Sequence, residues 1–267
     1  IRYFLGDLRD KERIYRALDN IDIVIHTAAL KQVPKAEYDP FEYIKTNIIG
    51  AQNLIEACLD SNVENLIALS TDKAVSPINL YGATKLCADK LFISARNIAG
   101  NKKIKFSVVR YGNVTASRGS IIPFFKTLKD SSFLPITHKD MTRFNISLKD
   151  AVSLVMYAIK NNFGGEIFVP KLPSFKVTDL ALAMFPKKKL KFIGIREGEK
   201  IHEELISKAE SLKILENDKF YIVLSKKENK IIKHYRKLNF KDVKKIFSYS
   251  SGTNPVFLNQ KELKKII

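Results

Sequence analysis

"NLIALSTDKAVSPINLYGATKLCADKLFISARN", from Asn65 to Asn97, holds a strand, a loop and a helix in succession. Asn65 to Ser70 form a short apolar run of strand type, and Tyr81 to Asn97 carry helical spacing. The loop between them sets a hydroxyl, a carboxylate and an amine side by side at Thr71, Asp72 and Lys73. The alternation extends in both directions. "IDIVIHTAA" (Ile21 to Ala29) reads as a buried strand with its exit loop, and "KFSVVRYGNV" (Lys105 to Val114) as another strand. "FEYIKTNIIGAQNLIEACLDS" (Phe41 to Ser61) places Ile44, Ile48, Leu54, Ile55 and Leu59 at helical spacing. Strands alternating with long helices predict an α/β fold, a Rossmann-type doubly wound parallel sheet covered on both faces. Ligands of such sheets bind beyond the carboxyl ends of the strands, where His26, Ser70 and Arg110 fall.

From about Ser117 the alternation stops. "GGEIFVPK" (Gly164 to Lys171) reads as a turn and one more strand, and the rest mixes short segments with a lysine-rich tail. The expected division is a dinucleotide-binding domain over 1–170 and a smaller substrate lobe over 171–267, also fed by about 116–143. A dinucleotide fold opens with a strand and a glycine-rich loop whose N–H groups meet the pyrophosphate. No such loop precedes "IRYFLGDLRD" (Ile1 to Asp10), which reads as a third strand and its exit. The chain is therefore expected to begin mid-sheet, amino-terminally incomplete.

The net charge of +18 on 267 residues admits a polyanion partner. The lysines are spread along the chain, however. The dense clusters "PKKKLK" (Pro186 to Lys191) and "SKKENKIIKHYRK" (Ser225 to Lys237) lack interleaved aromatics for stacking. A solvated lysine surface is the expectation, with no nucleic acid as partner. No apolar run approaches the roughly 18 residues of a membrane span, and no signal-peptide pattern is visible. Cys58 and Cys87 lie in helix-like stretches and read as reduced, buried thiols of an intracellular protein. No Cys/His cluster has ligand spacing, so no metal is expected.

Tyr81 and Lys85 stand four residues apart, one above the other on a helix face. An ammonium there lowers a phenol's pKa and can hold a cofactor ribose. The phenolate is then a base for a secondary alcohol, aided by a hydroxyl such as Thr71. Taken alone, the pair describes many exposed helix faces.

In order along the chain, "GDLRD", "HTAA", "AALKQVPKAEYDPFEYIKTNIIGAQNL", "ALSTDKAVSPINLYGATKLCADKLF", "VVRYGNV", "SRGS", "MTRF", "GGEIFVPK" and "GIREGEKIHEEL" resemble the extended short-chain dehydrogenase/reductases. Within that family of nucleotide-sugar epimerases and dehydratases they look like the UDP-N-acetylglucosamine 4,6-dehydratases that invert C5, which open pseudaminic acid synthesis. The resemblance covers essentially the whole chain. It implies a cytoplasmic homo-oligomeric lyase with a recycled NADP and a UDP-sugar substrate. It implies Tyr81 as the base at the C4 hydroxyl, with Thr71 beside it. Asp72 and Lys73 become the extra acid and base that elimination requires and simple epimerisation does not. Lys73 is expected as the C5 base, with a lowered pKa, and Asp72 as the acid at the C6 oxygen, with a raised one; the two roles are exchangeable on sequence alone. The resemblance places Asp7 and Leu8 at the adenine, His26, Thr27, Ala28, Ala29 and Leu30 along the pyrophosphate and ribose, and Tyr81 and Lys85 at the nicotinamide ribose. Lys31, Thr71, Asn113, Val114, Thr115, Ala116, Ser117, Arg118, Arg143, Arg196 and Glu199 are the implied substrate contacts. An arginine fork also suits a diphosphate on geometric grounds. His202, with no nucleophile motif beside it, reads as a packing residue. "GIREGEK" carries Glu197 where the subgroup usually has proline.

Two rivals stand beside this reading. One is a non-inverting UDP-sugar dehydratase or epimerase. The other is a truncated, non-catalytic dinucleotide-binding protein, to which Asp72 and Lys73 would be of no use.

Overall fold

The computed structural model describes residues 1–267. Its strands are β1 (Ile23–His26), β2 (Asn65–Thr71), β3 (Lys105–Tyr111), β4 (Asn113–Val114), β5 (Phe133–Ile136), β6 (Thr142–Ile146), β7 (Glu166–Pro170), β8 (Ser174–Lys176), β9 (Lys189–Phe192), β10 (Glu204–Ile206), β11 (Ile214–Glu216), β12 (Phe220–Leu224), β13 (Lys241–Asp242) and β14 (Tyr249–Ser250). Seven form the main sheet in the order β1-β2-β3-β7-β12-β11-β13. The first four are parallel, and the last three continue the sheet as antiparallel neighbours.

β2 and β3 are apolar runs because both of their faces are covered. Successive residues of a strand point to opposite faces. Leu66, Ala68, Phe106 and Val108 accordingly join one core with Leu54, Ile55, Ala88 and Phe92 of the helices Gly50–Leu59 and Leu80–Ile98. Ile67, Val109 and Phe168 join a second core with Leu154, Val155, Ile231 and Tyr235 of the helices Leu148–Asn161 and Asn229–Arg236. A third core contains Ile122, Phe125, Leu134, Ile136, Met141, Val177 and Leu180. No helix is long and apolar enough to cross a membrane.

Three expectations change. Ile1 to Gly6 are not a strand: they pair with no neighbour, and Ile1, Tyr3 and Leu5 are exposed. A strand needs a ladder partner, and these residues have instead the Arg13 side chain, whose Nε donates to the Leu5 carbonyl at 2.7 Å. The sheet also runs past residue 170. β12 pairs with β7 along its whole length, from Phe220 opposite Pro170 to Leu224 opposite Glu166, and covers what would otherwise be an open edge. Finally, Cys58 is buried but Cys87 is exposed, on the outer face of its helix.

Candidate active site

β2 ends in a single 3-10 turn, Asp72–Ala74, capped by the Thr71 hydroxyl, which accepts the Lys73 N–H at 3.3 Å. The helix Leu80–Ile98 starts on Asn79, whose side chain accepts the Gly82 N–H at 2.7 Å. A β-carbon at Gly82 would lie 2.3 Å from the Lys73 carbonyl oxygen, so glycine lets the helix lie directly on the turn. That contact brings Tyr81 to Thr71, Asp72 and Lys73.

Asp72 is 1% exposed. Its Oδ1 accepts from Thr71 Oγ1 at 2.9 Å and from Lys73 Nζ at 3.2 Å, while its Oδ2 has no partner. Burial pushes this carboxyl upward; Lys73 pulls against that, and the nearby Glu203 carboxylate adds to the rise. The shift has the direction expected of an acid at this position. Lys73 differs from expectation. Burial draws its ammonium down, but Asp72 and Glu203 outweigh burial, so its pKa is raised rather than lowered. Tyr81 is buried, and desolvation moves its phenol up to about 12 against the pull of Lys73. Lys85 does not lower it: its Nζ donates to the Leu69 carbonyl at 2.8 Å, and burial pulls Lys85 itself down.

A cavity of 570 Å³ opens on this cluster, walled by Lys73, Asn113, Arg143, Arg196, Glu199 and Glu203 with apolar Val33, Ile136 and Met141. Arg143 is buried, and its Nη1 donates to the carbonyls of Thr142 at 2.7 Å and Ile201 at 3.1 Å. It faces Glu199 at 3.6 Å and Glu203 at 3.9 Å. Arg196 is exposed at the rim. The run from Val114 to Arg118 lies differently. Val114 packs against the sheet core, and Thr115 bonds Asn145 at 3.0 Å and lines a separate 610 Å³ cavity. Lys31 donates to the Arg118 carbonyl at 3.3 Å, which joins these two residues outside the cavity wall.

On the other side, the loop after β1 has Thr27, Ala28 and Leu30 exposed and Ala29 half-buried. His26 is buried, its ring 5.3 Å from Phe92, and burial and then Lys85 hold it neutral with a pKa of about 3. Its side chain belongs to the core, so only its backbone is placed for a ligand. Asp7 is exposed and gripped by Arg9, and Leu8 rests against Gly50.

A family model described as polysaccharide biosynthesis protein matches residues 1–225. The chain is 52% identical over 274 residues to a protein of Campylobacter jejuni subsp. jejuni serotype O:2 named UDP-N-acetylglucosamine 4,6-dehydratase (inverting), covering 100% of this chain and 82% of that one. It is 39% identical over 273 residues to a UDP-glucose 4-epimerase of Rickettsia akari, covering 100% and 80%. The X-ray structure of Pen from Bacillus thuringiensis superposes with a TM-score of 0.88 at 37% identity, covering 99% of this chain and 81% of that one. The chain belongs to the polysaccharide biosynthesis protein family.

In this polysaccharide biosynthesis protein, two residues outside the expected set organise the site. Asn47, buried in the π-helical segment Ile44–Ile49, accepts from Leu30 N and donates to Leu30 O, both at 2.9 Å, and donates to Thr84 Oγ1 at 3.0 Å. Six residues on, Asn53 donates to Leu8 O at 3.0 Å. One helix thus pins both loops of the expected cofactor side. An amide among the apolar residues of "IKTNIIG" was the available signal, since a buried amide needs partners. Glu203 is the second. It lies in "EKIHEEL", where nothing in the spacing separates it from Glu204. His202 beside it is structural, as read: its Nδ1 meets Thr142 Oγ1 at 2.8 Å, and its ring fills the space above Gly252.

Proposed function

We propose that this protein converts UDP-N-acetylglucosamine to a UDP-4-keto-6-deoxy-HexNAc with inversion at C5, recycling NADP, in the synthesis of a surface glycan such as one bearing pseudaminic acid. The observation that carries the reading is a buried acid, Asp72, touching the Thr71 hydroxyl and a charged Lys73 that lines a cavity with Arg143 and Arg196. The 52% identity to a protein named as an inverting dehydratase supports the substrate and the stereochemistry.

The residues fit a dinucleotide. The exposed Thr27 and Ala28 leave backbone accessible at the end of β1, and the Lys85 ammonium lies below Leu69 at the end of β2. Bound NADP would supply the hydride acceptor and donor. Arg143 and Arg196, both lining the cavity, suit a diphosphate. With the cationic nicotinamide of bound NADP beside it, the Tyr81 phenol, otherwise held up at about 12, would ionise and take the proton of the C4 hydroxyl, and Asp72 would protonate the departing C6 hydroxyl. Water is the sum of those two losses, so the proton taken at O4 must reach the acid that served O6. Thr71 donates to Asp72 Oδ1 at 2.9 Å and lies beside Tyr81, which puts its hydroxyl in position to connect them.

The test is incubation with NADP and UDP-N-acetylglucosamine. The expected result is a 4-keto-6-deoxy product of inverted C5 by NMR, without net NADPH. Stoichiometric NADPH release would instead indicate a simple dehydrogenase. The second reading, a 4-epimerase, has the Rickettsia relative in its favour; a product that retains its C6 hydroxyl would establish it.

A further inference from the structure

Lys73 cannot remove a C5 proton while it carries its own. The structure surrounds it with carboxylates: Asp72 Oδ1 and Glu203 Oε1 both lie 3.2 Å from its Nζ. Asp72 is engaged with Thr71 and is the group assigned to the C6 oxygen. Glu203 is different. It is 2% exposed, it walls the same cavity, and its Oε2 has no hydrogen-bond partner. Its backbone is fixed, since Glu203 N donates to Ser251 Oγ at 3.0 Å and Ser251 bonds Thr142 at 2.8 Å.

Resting on the dehydratase reading, we propose that Glu203 is the proton partner of Lys73, taking the ammonium's proton so that the neutral amine can act at C5. The step balances. Lys73 passes one proton to the Glu203 carboxylate and becomes an amine. The amine takes the C5 proton as the C6 hydroxyl leaves with the Asp72 proton. After hydride returns to C6, C5 is reprotonated by solvent from the opposite face, as inversion requires; Lys73 keeps the C5 proton as its ammonium, and Glu203 releases to solvent the proton it took. The charged groups facing Glu203 are Lys73 and Asp72 from the turn after β2, Arg143 from β6, and Lys200 from its own segment. The cations hold Glu203 ionised at rest, against its burial, as an acceptor must be. Glu203 acts through Lys73 and is a positioning residue in this sense.

Glu203→Gln retains a carbonyl oxygen for Lys73 but cannot take a proton. In the holoenzyme the expected result is a turnover about 10²–10⁴-fold lower with unchanged UDP affinity. NADPH should build up on the enzyme because hydride taken from C4 is not returned, and deuterium uptake at C5 in D₂O should be lost. Glu203→Asp should restore part of the turnover. The opposite sign is informative: if Glu203 only keeps Lys73 charged, its removal lowers the lysine pKa and Glu203→Gln runs faster, which overturns the proposal. Unchanged turnover with an unchanged pH profile overturns it as well. A wild-type enzyme that makes no 4-keto-6-deoxy sugar fails the dehydratase reading instead. A second measurement is independent of turnover. Acylation of Lys73 at pH 9, located by peptide mass spectrometry, should be no faster in Glu203→Gln, because the amide cannot take the ammonium's proton; a several-fold faster reaction would mean that Glu203 only kept Lys73 charged and would sink the inference.

Discussion

Asp7 and Asp72 are both expected site aspartates, and the molecule treats them in opposite ways. Asp7, on the cofactor side, is exposed and takes the Arg9 guanidinium at 2.6 Å, which lowers its pKa to about 2. Asp72, on the reaction side, is buried, and burial raises its pKa. The contrast extends to their surroundings. Around Asp7 and the loop after β1, charges pair in solvent, and the loops are held by neutral amides, Asn53 and Asn47. Around Asp72, the charges of Lys73, Glu203 and Arg143 are packed against one another, away from water. A binding surface has to present backbone and needs no unusual ionisation. A site that moves protons has to hold acids and bases in states that water would not sustain, and only mutual burial does that.

The strongest way to break the comparison is at Lys73. Lys73→Ala removes the cation between two buried carboxylates. Turnover should fall about 10²–10⁴-fold, while calorimetric binding of UDP-N-acetylglucosamine stays near wild type. Stability should fall too, by about 3–5 kcal/mol at neutral pH, as for a buried pair with one partner removed. The sign with pH follows. Without Lys73 the two carboxylates have folded pKa values above their unfolded ones, so their penalty is absent below the unfolded values and grows as pH rises. Urea midpoints should therefore approach wild type at pH 4 and diverge by pH 8. A constant difference across that range would mean that the buried charges do not set the stability of this region.

His26 sharpens the comparison, because it is the buried titratable group on the otherwise solvated side. Its folded pKa of about 3 lies below its ordinary 6.5. The unfolded chain therefore binds the proton first, and His26 contributes stability that is complete above about 6.5 and is lost as pH falls toward 3. At about 1.4 kcal/mol per pKa unit the loss amounts to a few kcal/mol. In His26→Leu this component of the acid limb should vanish. An acid-unfolding curve identical to wild type would show that the ring is solvated.

The legible part of this molecule was the part written in local pattern. "NLIALS" and "KFSVVRY" announced central strands because burial on both faces demands continuous apolar residues, and Tyr81 and Thr71 met because a strand exit and the following helix are adjacent in such folds. What escaped depends on distant pairing. β12 joins β7 from fifty residues away. The Lys73 pKa is raised first by Asp72 beside it and then by Glu203, 130 positions on. The expectation of a lowered lysine pKa counted burial and had no means of counting that second carboxylate. Ile1 to Gly6 looked like a strand for the same reason: composition shows β-propensity, not the neighbour that must pair with it.

Asn47 offers a smaller effect. Asn47→Ala leaves the Leu30 N–H and carbonyl without their partner, at about 1–3 kcal/mol, and releases the loop after β1. Affinity for NADP should fall about tenfold, a 1.4 kcal/mol loss, with UDP binding unaffected. Equal losses of both ligands would mean that the two sides are not separately held.

The smallest effect is expected at Asp7. Its low pKa has the same arithmetic form as a stabilising ion pair, since a depressed carboxyl contributes above its unfolded pKa and loses that contribution as pH falls through about 2. Its exposure decides the magnitude. Solvated pairs are screened and lose side-chain entropy when they form, so the shift does not convert into stability at face value. Asp7→Asn should move the unfolding free energy by no more than about 0.5 kcal/mol, and the difference should shrink further in 0.5 M salt. The same substitution at Asp72 should remove the acid and cost activity about 10²–10⁴-fold, although it would hardly disturb shape. If Asp7→Asn destabilised the protein as much as Lys73→Ala, charges on the cofactor side would be structural after all, and the division between a solvated binding side and a buried reacting side would fail.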